Sequence, residues 1–391
     1  MNYKKIDEFT AVVTGGTPST EKQEYWEGGD IPWLQSGCCQ NCDVESAEKY
    51  ITQEGYNNSS AKMMPADTVM IALTGATAGK VGYLRFQACG NQSITGILPC
   101  DSMDQRFIFY YLLSQRDKIL ADCIGGAQPH ISQGYVKNIL VPVPSIDEQK
   151  IIVKHLSIVS SIIKKRKQEI AMFDDLIKAR FVEMFGDPGD NPMGWPVVNI
   201  NEVIGGKVSN GFFAKRDDYC DNGNVQVLGV VNVVNRMYSG IEDLPKTNGT
   251  SADIAKYSVK YGDMLFCRSS LVAEGIGKAS IVPENTDDNV LFECHVIRLP
   301  LDLGKCVPEF MQALSTTDYF RRQIIAQSKT ATMTTIGQDG ILKSSIILPP
   351  IEKQREFYNF VKQVDKSKVA VQKALDEAQL LFDSLMQKYF G

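Results

Sequence analysis

Several features that would decide the class of protein at once are missing from the sequence. It has no run of about 18 apolar residues, which is the length that a helix needs to cross a membrane. The N-terminus, MNYKKID, lacks the apolar core of a signal peptide. Together these absences predict a cytoplasmic protein.

An excess of basic charge is missing as well. The chain has 41 Lys and Arg residues against 46 Asp and Glu residues, which gives a formal net charge of −5. A protein that binds DNA unaided is usually basic, because cations make the phosphate contacts. If this chain binds DNA, its basic residues must concentrate on one face, or partner subunits must supply much of the attraction to the backbone.

Cysteine and histidine are too dispersed to indicate a metal centre. The ten cysteines are scattered through 391 residues and do not form the dense framework of a small secreted domain, so we expect reduced thiols. Cys39 and Cys42 have C-x2-C spacing, but no second pair exists and the three histidines lie far away in sequence. Structural zinc needs four ligands, so we predict no metal site.

What the sequence does contain is an internal repeat. With 43% hydrophobic residues in 391, the chain can form two domains or more. The segment PSIDEQ at residues 144–149 returns as PPIEKQ at residues 349–354, an offset of 205 positions. The same offset relates Phe185-Gly186 to Phe390-Gly391, so about forty residues are duplicated without a gap.

Each copy carries a stripe of mainly apolar residues in which steps of four and three alternate. The first stripe consists of Ile152, Leu156, Val159, Ile163, Arg166, Ile170, Phe173, Ile177, Arg180 and Met184, and the second of Phe357, Val361, Val364, Lys368, Val371, Leu375, Ala378, Phe382, Leu385 and Tyr389. This spacing predicts two long helices that pair as a coiled coil. The simpler alternative is two surface helices, each packed on its own domain. We favour pairing, because a helix of about forty residues is about 60 Å long, more than one domain covers.

The segments before the helices predict mixed α and β structure. Residues 69–73, 81–84, 225–234 and 345–348 are short, rich in β-branched residues and bounded by glycine or proline, which is typical of strands. The turn-rich segment 186–192 marks a boundary between two halves. We therefore predict an α+β fold in which two mixed α/β domains are separated by a long antiparallel helical coiled coil, in a pseudo-two-fold internal repeat. The predicted bounds are 1–143 and 187–346 for the domains and 144–186 and 347–391 for the long helices.

A set of motifs in a fixed order resembles the specificity subunits of type I restriction-modification systems. The motifs are Ile31-Pro32-Trp33-Leu34 after the glycine-rich start 14–19, the Asp67 strand leading to Gly79-Lys80, the turn 126–129, and the helix that PSIDEQ opens and Phe185-Gly186 closes. The resemblance covers the whole chain, and several motifs recur in the second half. That half departs from the pattern where Met333-Thr334 replace the Gln-Pro pair and where Trp33 has no clear match.

The resemblance implies a non-catalytic subunit with two target recognition domains, each reading one half of a split, asymmetric DNA sequence. It also implies two modification subunits that carry the S-adenosylmethionine site and, through them, restriction subunits that use ATP. No cofactor is expected in this chain, since S-adenosylmethionine, ATP and Mg belong to the partners. The assembled enzyme would methylate adenine and cleave DNA in an ATP-dependent reaction.

The sequence itself contains no complete catalytic motif. Residues 191–194, Asn-Pro-Met-Gly, fail at the third and fourth positions of the Asn/Asp-Pro-Pro-aromatic loop of a methyltransferase. The loop from Gly75 to Lys80 is no phosphate-binding loop, because only three residues separate its glycines and Val81 follows the lysine. No nuclease-like cluster of acids is present, so we expect the chain alone to be chemically inert.

Base reading needs donors and acceptors on loops that can approach DNA closely. We predict DNA contacts for Thr14, Ser19, Gln35, Thr74, Thr77, Lys80, Gln128 and His130 in the first domain, and for Lys215, Arg216, Arg268, Ser269, Lys278, Thr332 and Thr334 in the second. Each could instead be a solvated loop residue or a turn former, and Gly79 and Gly277 could be purely structural. The resemblance implies that the modification subunits bind the outer faces of the long helices, so we predict partner contacts for the apolar residues Ile158, Ile162 and Val369 there.

Two other functions remain open at this point. The chain could guide a complex that methylates without cleaving, which the sequence does not distinguish from the first function. It could also be a protein-interaction rod whose end domains bind proteins, which the acidic net charge favours. A steep fall of DNA affinity with added salt would separate DNA binding from the rod.

Overall fold

The structure is a computed structural model that describes residues 2–122 and 130–391. It divides into two compact units: unit 1 comprises Met1–Lys167 and Lys373–Gly391, and unit 2 comprises Gln168–Gln372. Both divisions fall within long helices, so each unit holds a mixed α/β domain together with a portion of both helices. None of the helices in the described ranges is both long and apolar enough to span a membrane.

Unit 1 is built on a five-stranded sheet, a four-stranded sheet and a two-stranded sheet. Its strands are β1 (Tyr3–Lys5), β2 (Val12–Thr14), β3 (Ile31–Leu34), β4 (Cys42–Val44), β5 (Lys49–Ile51), β6 (Met63–Met64), β7 (Val69–Ala72), β8 (Val81–Leu84), β9 (Ala88–Gly90), β10 (Ile94–Ile97) and β11 (Leu140–Pro142). Its short helices are α1 (Gln53–Asn57), α2 (Gln105–Ser114), α3 (Arg116–Ala121) and α4 (Gln133–Asn138). The sheet orders are β2-β10-β7-β8-β4, β5-β3-β9-β6 and β1-β11.

The central strands of the larger sheet are buried on both faces, which is why they read as continuous apolar runs. Val69 and Ile71 of β7 pack in one apolar cluster with the α2 residue Phe107. Met70 and Ala72 point to the opposite face and belong to a second cluster. This alternation follows from the two-residue period of a strand. The strands predicted over 69–73 and 81–84 are found as β7 and β8.

Unit 2 has four sheets, with orders β13-β20-β16-β18, β15-β14-β19, β17-β22-β21 and β12-β23. Its strands are β12 (Val197–Asn199), β13 (Ser209–Asn210), β14 (Val225–Leu228), β15 (Lys246–Thr247), β16 (Asp263–Cys267), β17 (Ser269–Ser270), β18 (Ala279–Ile281), β19 (Val290–Phe292), β20 (Val296–Pro300), β21 (Lys329–Thr330), β22 (Thr334–Thr335) and β23 (Ser345–Ile347). Its short helices are α6 (Val230–Val233), α7 (Ser251–Tyr257), α8 (Pro308–Thr316), α9 (Asp318–Gln327) and α10 (Gln338–Leu342). The long helices of the chain are α5 (Ile146–Phe185) and α11 (Ile351–Phe390).

The strand predicted over 225–234 was wrong in its second half, which forms α6 instead. Gly229 ends β14, and the Asn232 side chain accepts a hydrogen bond from the Gly229 amide at 3.0 Å. A carboxylate oxygen of Glu293 accepts the Val230 amide at 2.8 Å. An acidic acceptor at the first turn stabilises a helix start, and this acceptor lies 63 residues away, beyond the reach of local sequence patterns.

Both long helices bury the stripe that their spacing predicts. Each helix has 40 residues, and every one of the ten stripe positions in each helix is buried or half-buried. In unit 1, His155 of α5 stacks on Tyr389 of α11, with 2.8 Å between Nδ1 and Oη. In unit 2, the Phe181 ring of α5 lies 5.7 Å from the Phe357 ring of α11. Within each unit, portions of the two helices are therefore in contact.

A buried glutamine fixes the first turn of each long helix to its domain. The Gln149 carbonyl oxygen accepts the Asp104 amide at 2.8 Å, just before α2, and its NH2 group donates to Pro144 O at 2.9 Å. Gln354 repeats this in unit 2, with Val307 N at 2.9 Å and Pro349 O at 2.8 Å. The last residue of PSIDEQ and PPIEKQ therefore joins helix start and domain in both copies.

The Gln354→Leu variant should be less stable by about 1–3 kcal/mol, because the Val307 amide would stay buried without an acceptor. Gln363→Leu, an exposed position on the same helix, is the matched control and should change little. Urea unfolding of the purified variants measures both effects. Equal stability of the two variants would show that the buried amide does not fix the helix start.

Candidate nucleic-acid interface

In unit 1, three separate loops converge on the short turn 91–93 between β9 and β10. The contacts are backbone hydrogen bonds from Gly16 N to Gly90 O (2.8 Å), from Asn91 N to Leu34 O (2.9 Å) and from Leu73 N to Ser93 O (2.8 Å). The loop after β2, the end of β3 and the loop between β7 and β8 are thereby held beside one turn. We call this arrangement the unit 1 cage.

The same backbone pattern recurs in unit 2 around the turn 293–295 between β19 and β20. The contacts are Phe212 N to Phe292 O (2.7 Å), Glu293 N to Leu228 O (3.0 Å) and Arg268 N to His295 O (2.8 Å). A Cβ added to Gly15 in unit 1 or to Gly211 in unit 2 would collide with the backbone of the respective turn, so both positions need glycine. This is the unit 2 cage, and it repeats the hydrogen-bond pattern of the unit 1 cage.

A fourth contact closes each cage. Ile131 N donates to Leu73 O at 2.9 Å in unit 1, and Ile336 N donates to Arg268 O at 3.0 Å in unit 2. The two donor residues, Ile131 and Ile336, are related by the 205-residue offset of the internal repeat. The weak sequence similarity of 126–131 and 331–336 therefore corresponds to a shared structural role where the structure describes both.

The Gly-Lys pairs have a structural role in both units. Gly79 and Gly277 have φ of 72° and 62°, in the left-handed region that favours glycine. A Cβ there would meet Ile119 of α3 in unit 1 and Ile324 of α9 in unit 2. The neighbouring lysines, which were predicted to contact DNA, each hold an adjacent loop.

Lys80 Nζ donates to the Gln40 side-chain carbonyl at 2.7 Å. Lys278 Nζ donates to the corresponding carbonyl of Asn235 at 2.6 Å. Both ammonium groups are thus engaged, and both side chains are half-buried. Their predicted DNA contacts stay predictions.

The other unit 1 candidates surround the cage to different degrees. Thr74 forms a bridge with His130, and Thr77 Oγ1 donates to Thr74 O, so these three lie together. Thr14 is half-buried and shares a hydrogen bond with Thr95, whereas Ser19 and Gln35 are exposed. Gln128 lies outside the described residues.

The unit 2 candidates are more strongly charged. Lys215, Arg216 and Thr332 are exposed, and Arg268 and Ser269 are half-buried. Within residues 2–122 and 130–391, Lys215, Arg216, Arg268, Lys278 and Lys329 form no ion pair. Arg268 donates to Cys294 O at 3.1 Å and Lys278 to Asn235, whereas Lys215, Arg216 and Lys329 are exposed and can reach phosphate groups.

Thr334 requires a correction. Its side chain is only 2% exposed, and its hydroxyl is hydrogen-bonded to that of Thr330 at 3.0 Å. A buried hydroxyl that already has a protein partner is not available to a base edge. We therefore remove Thr334 from the set of candidate DNA contacts, since it joins β22 to β21.

Sequence reasoning missed the residues on the two turns themselves. Gln92 is exposed and accepts a hydrogen bond from Thr17. His295 is exposed, with its Nδ1 3.1 Å from Ser269 Oγ. The Cys294 thiol beside His295 stays neutral, because burial raises its pKa and the Glu293 carboxylate raises that pKa further. The polar triplet Asn-Gln-Ser between two short apolar segments was the available signal in unit 1.

The described ranges contain no group of three or more His, Cys, Asp or Glu side chains that could hold a metal ion. Nine cysteines lie in these ranges, and all nine are free thiols. The C-x2-C pair of Cys39 and Cys42 is thus not part of a ligand set within the described part of the chain.

The predicted partner-binding residues are exposed on the long helices. Ile158 and Ile162 of α5 are 51% and 41% exposed within unit 1, and Val369 of α11 is 70% exposed within unit 2. Residues 164–167 of α5 form a basic run, in which Lys164 lies 3.4 Å from a carboxylate oxygen of Glu45 and Arg166 also has a partner.

Comparison with known proteins now identifies the family. The profile of the family described as "Type I restriction modification DNA specificity domain" matches residues 1–172 and 192–378. The chain belongs to this family. Each match takes in most of one mixed α/β domain and part of the long helix that follows it.

Individual relatives agree with this assignment. The specificity subunit of type I restriction enzyme MjaIX from Methanocaldococcus jannaschii is 24% identical over 410 residues, covering 99% of this chain and 92% of its own. The EcoKI specificity subunit of Escherichia coli K12 is 21% identical over 430 residues, covering 98% and 87%. The crystal structure of the S subunit of the M. genitalium type I system has a TM-score of 0.57 at 13% identity, covering 100% and 96%, which is a likeness of fold.

The Gly277→Ala variant should lose about 2 kcal/mol of stability, because alanine is strained at positive φ and its Cβ would collide with Ile324. Gly337→Ala is the control, since nothing lies within 4 Å of a Cβ at that position. Chemical denaturation compares the two. Equal midpoints would contradict the steric role assigned to Gly277.

Proposed function

We propose that this chain is the DNA sequence-recognition subunit of a type I restriction-modification complex. The observation that carries the proposal is the pair of cages, which share a backbone hydrogen-bond pattern but present different side chains. Two such readers suit a target made of two unlike halves, since base contacts specify sequence. Membership of the specificity family supports the same function.

In this proposal the domains 1–143 and 187–346 are the two target recognition domains. The helices 144–186 and 347–391 pair as an antiparallel coiled coil that spaces them in a pseudo-two-fold arrangement. The buried stripes support the pairing, as do the contacts of His155 with Tyr389 in unit 1 and of Phe181 with Phe357 in unit 2. Each contact joins the beginning of one helix to the end of the other, as antiparallel helices require.

We further propose that the chain is not itself an enzyme and carries no cofactor. Two modification subunits would supply S-adenosylmethionine and the methyl transfer, and restriction subunits would supply ATP- and Mg-dependent cleavage, in the cytoplasm. The exposed apolar residues Ile158, Ile162 and Val369 are the proposed contacts for the modification subunits. Apolar side chains at helical spacing suit a partner helix.

The acidic net charge does not exclude DNA binding, because several cations without an ion pair lie on the loops around the unit 2 cage. The chain is acidic overall, with a net charge of −5. Five cations of unit 2 that form no ion pair within the described residues lie on the loops 211–216 and 268–278 and on the hairpin 329–335, namely Lys215, Arg216, Arg268, Lys278 and Lys329. Local charge, rather than net charge, decides phosphate contact.

Exchange of residues 1–143 for the corresponding domain of another family member should change one half of the methylated target and leave the other half unaltered. Methylation mapping of DNA from cells that express the hybrid with its modification subunits gives the result. The reciprocal exchange of residues 187–346 is the control and should alter the other half. Changes in both halves from a single exchange would contradict two independent readers.

Combined Lys215→Ala and Arg216→Ala substitution should weaken DNA binding by the assembled complex and reduce the slope of log affinity against log salt by about 2. Both side chains are exposed and unpaired, so little loss of stability is expected. Lys366→Ala, an exposed cation on α11, is the matched control. An unchanged slope for the double variant would remove these cations from the interface.

A further inference from the structure

The two cages differ in the residue that follows the first cage contact, at position 17 in unit 1 and position 213 in unit 2, which we call the tip of each cage. Thr17 follows Gly16 in unit 1, and its hydroxyl donates to the Gln92 side chain. In unit 2, Phe213 occupies the corresponding position after Phe212 and is 68% exposed. A hydrogen-bonding tip in one unit therefore corresponds to an aromatic tip in the other.

The loop between β16 and β18 adds to this difference. Backbone hydrogen bonds close the loop between Ala72 and Gly79 in unit 1 and between Cys267 and Gly277 in unit 2, so the second loop is three residues longer. This longer loop carries Leu271 and Val272, which are 84% and 58% exposed. Large side chains exposed to this degree are absent from the corresponding loop 73–80, which the structure describes in full.

Large apolar side chains exposed on two loops of one cage are expected to contact a partner. Both loops are continuous with the proposed DNA interface. The Arg268 amide, three residues before Leu271, bonds to the turn 293–295, and the amide of Phe212, next to Phe213, bonds to Phe292 O. Lys215, Arg216 and Arg268 on these loops form no ion pair within the described residues, and Asp217, Asp218 and Glu274 lie beside them in the sequence. The position of the two loops at the interface therefore indicates DNA as the partner.

We infer that Phe213 and Leu271 contact the C5-methyl groups of thymines in the half-target that unit 2 reads. This inference rests on the proposed function. In the major groove the thymine methyl is the apolar group on a base edge, and phenylalanine is one of the side chains that contact it. Unit 1, with Thr17 and Gln92 at its tip, reads its half-target mainly by hydrogen bonds.

The test uses the complete complex of this chain with its modification subunits. Methylation mapping first gives the target, and the domain exchange assigns one half to unit 2. Binding is then measured on duplexes in which deoxyuridine replaces thymidine in one half at a time, which removes the methyl groups but keeps base pairing. The wild-type complex should bind about fourfold more weakly for each fully buried methyl removed from the unit 2 half.

The diagnostic readout is the coupling between side chain and methyl group. Phe213→Ala and Leu271→Ala should each weaken binding to thymidine DNA. They should also bring the ratio of the affinity for thymidine DNA to the affinity for deoxyuridine DNA closer to one. Thr17→Ala is the matched control in unit 1 and should leave the ratio for the unit 2 half unchanged. Since Phe213 and Leu271 are largely exposed, the variants should assemble normally, and complex mass checks this.

Several outcomes would overturn the inference. One is a unit 2 half-target that contains no thymine, and another is a ratio that both alanine variants leave unchanged. Equal weakening on thymidine and deoxyuridine DNA would indicate insertion of the side chains between base steps instead. Loss of assembly with unchanged target choice would indicate a protein partner. If the wild-type complex has no sequence preference at all, the proposed function itself is contradicted. If it has a sequence preference that the Phe213 and Leu271 variants leave unchanged, only the present inference is contradicted.

Discussion

Each unit depends on one short turn whose backbone groups bind loops that are far apart in the sequence. In unit 1 the turn 91–93 and its flanking Gly90 bind Gly16, Leu34 and Leu73, and in unit 2 the turn 293–295 does the same for the equivalent loops. Backbone groups make these contacts, so side chains on the loops can vary without loss of the frame, except at Gly15 and Gly211, where a Cβ would collide with the turn. This separation of frame and side chain allows one fold to present a polar tip in unit 1 and an apolar tip in unit 2.

Two buried side chains join the long helices to their domains, in addition to backbone strand pairs. Gln149 and Gln354 are completely buried, and each satisfies the amide that precedes a helix of its domain. The strands β1 and β11, and likewise β12 and β23, pair antiparallel beside each helix start, so each domain begins and ends there.

The spacing of apolar residues in the sequence predicted the long helices and the central strands of unit 1. The stripe of each long helix is buried or half-buried at every predicted position, and β7 and β8 lie where β-branched runs indicated strands. The strand prediction over 225–234 failed beyond Gly229, because the distant Glu293 accepts the amide that starts α6. Gln92 and His295 were missed for the same reason, since only long-range hydrogen bonds place their turns at the centre of a cage.

In the proposed complex the two turns face opposite halves of one DNA target. Site-specific photocrosslinking from position 92 and from position 294 in the assembled complex, with the crosslinked nucleotides mapped, measures this arrangement. Position 92 should crosslink to one half of the target and position 294 to the other. Crosslinks from both positions to the same half, or to protein alone, would contradict it.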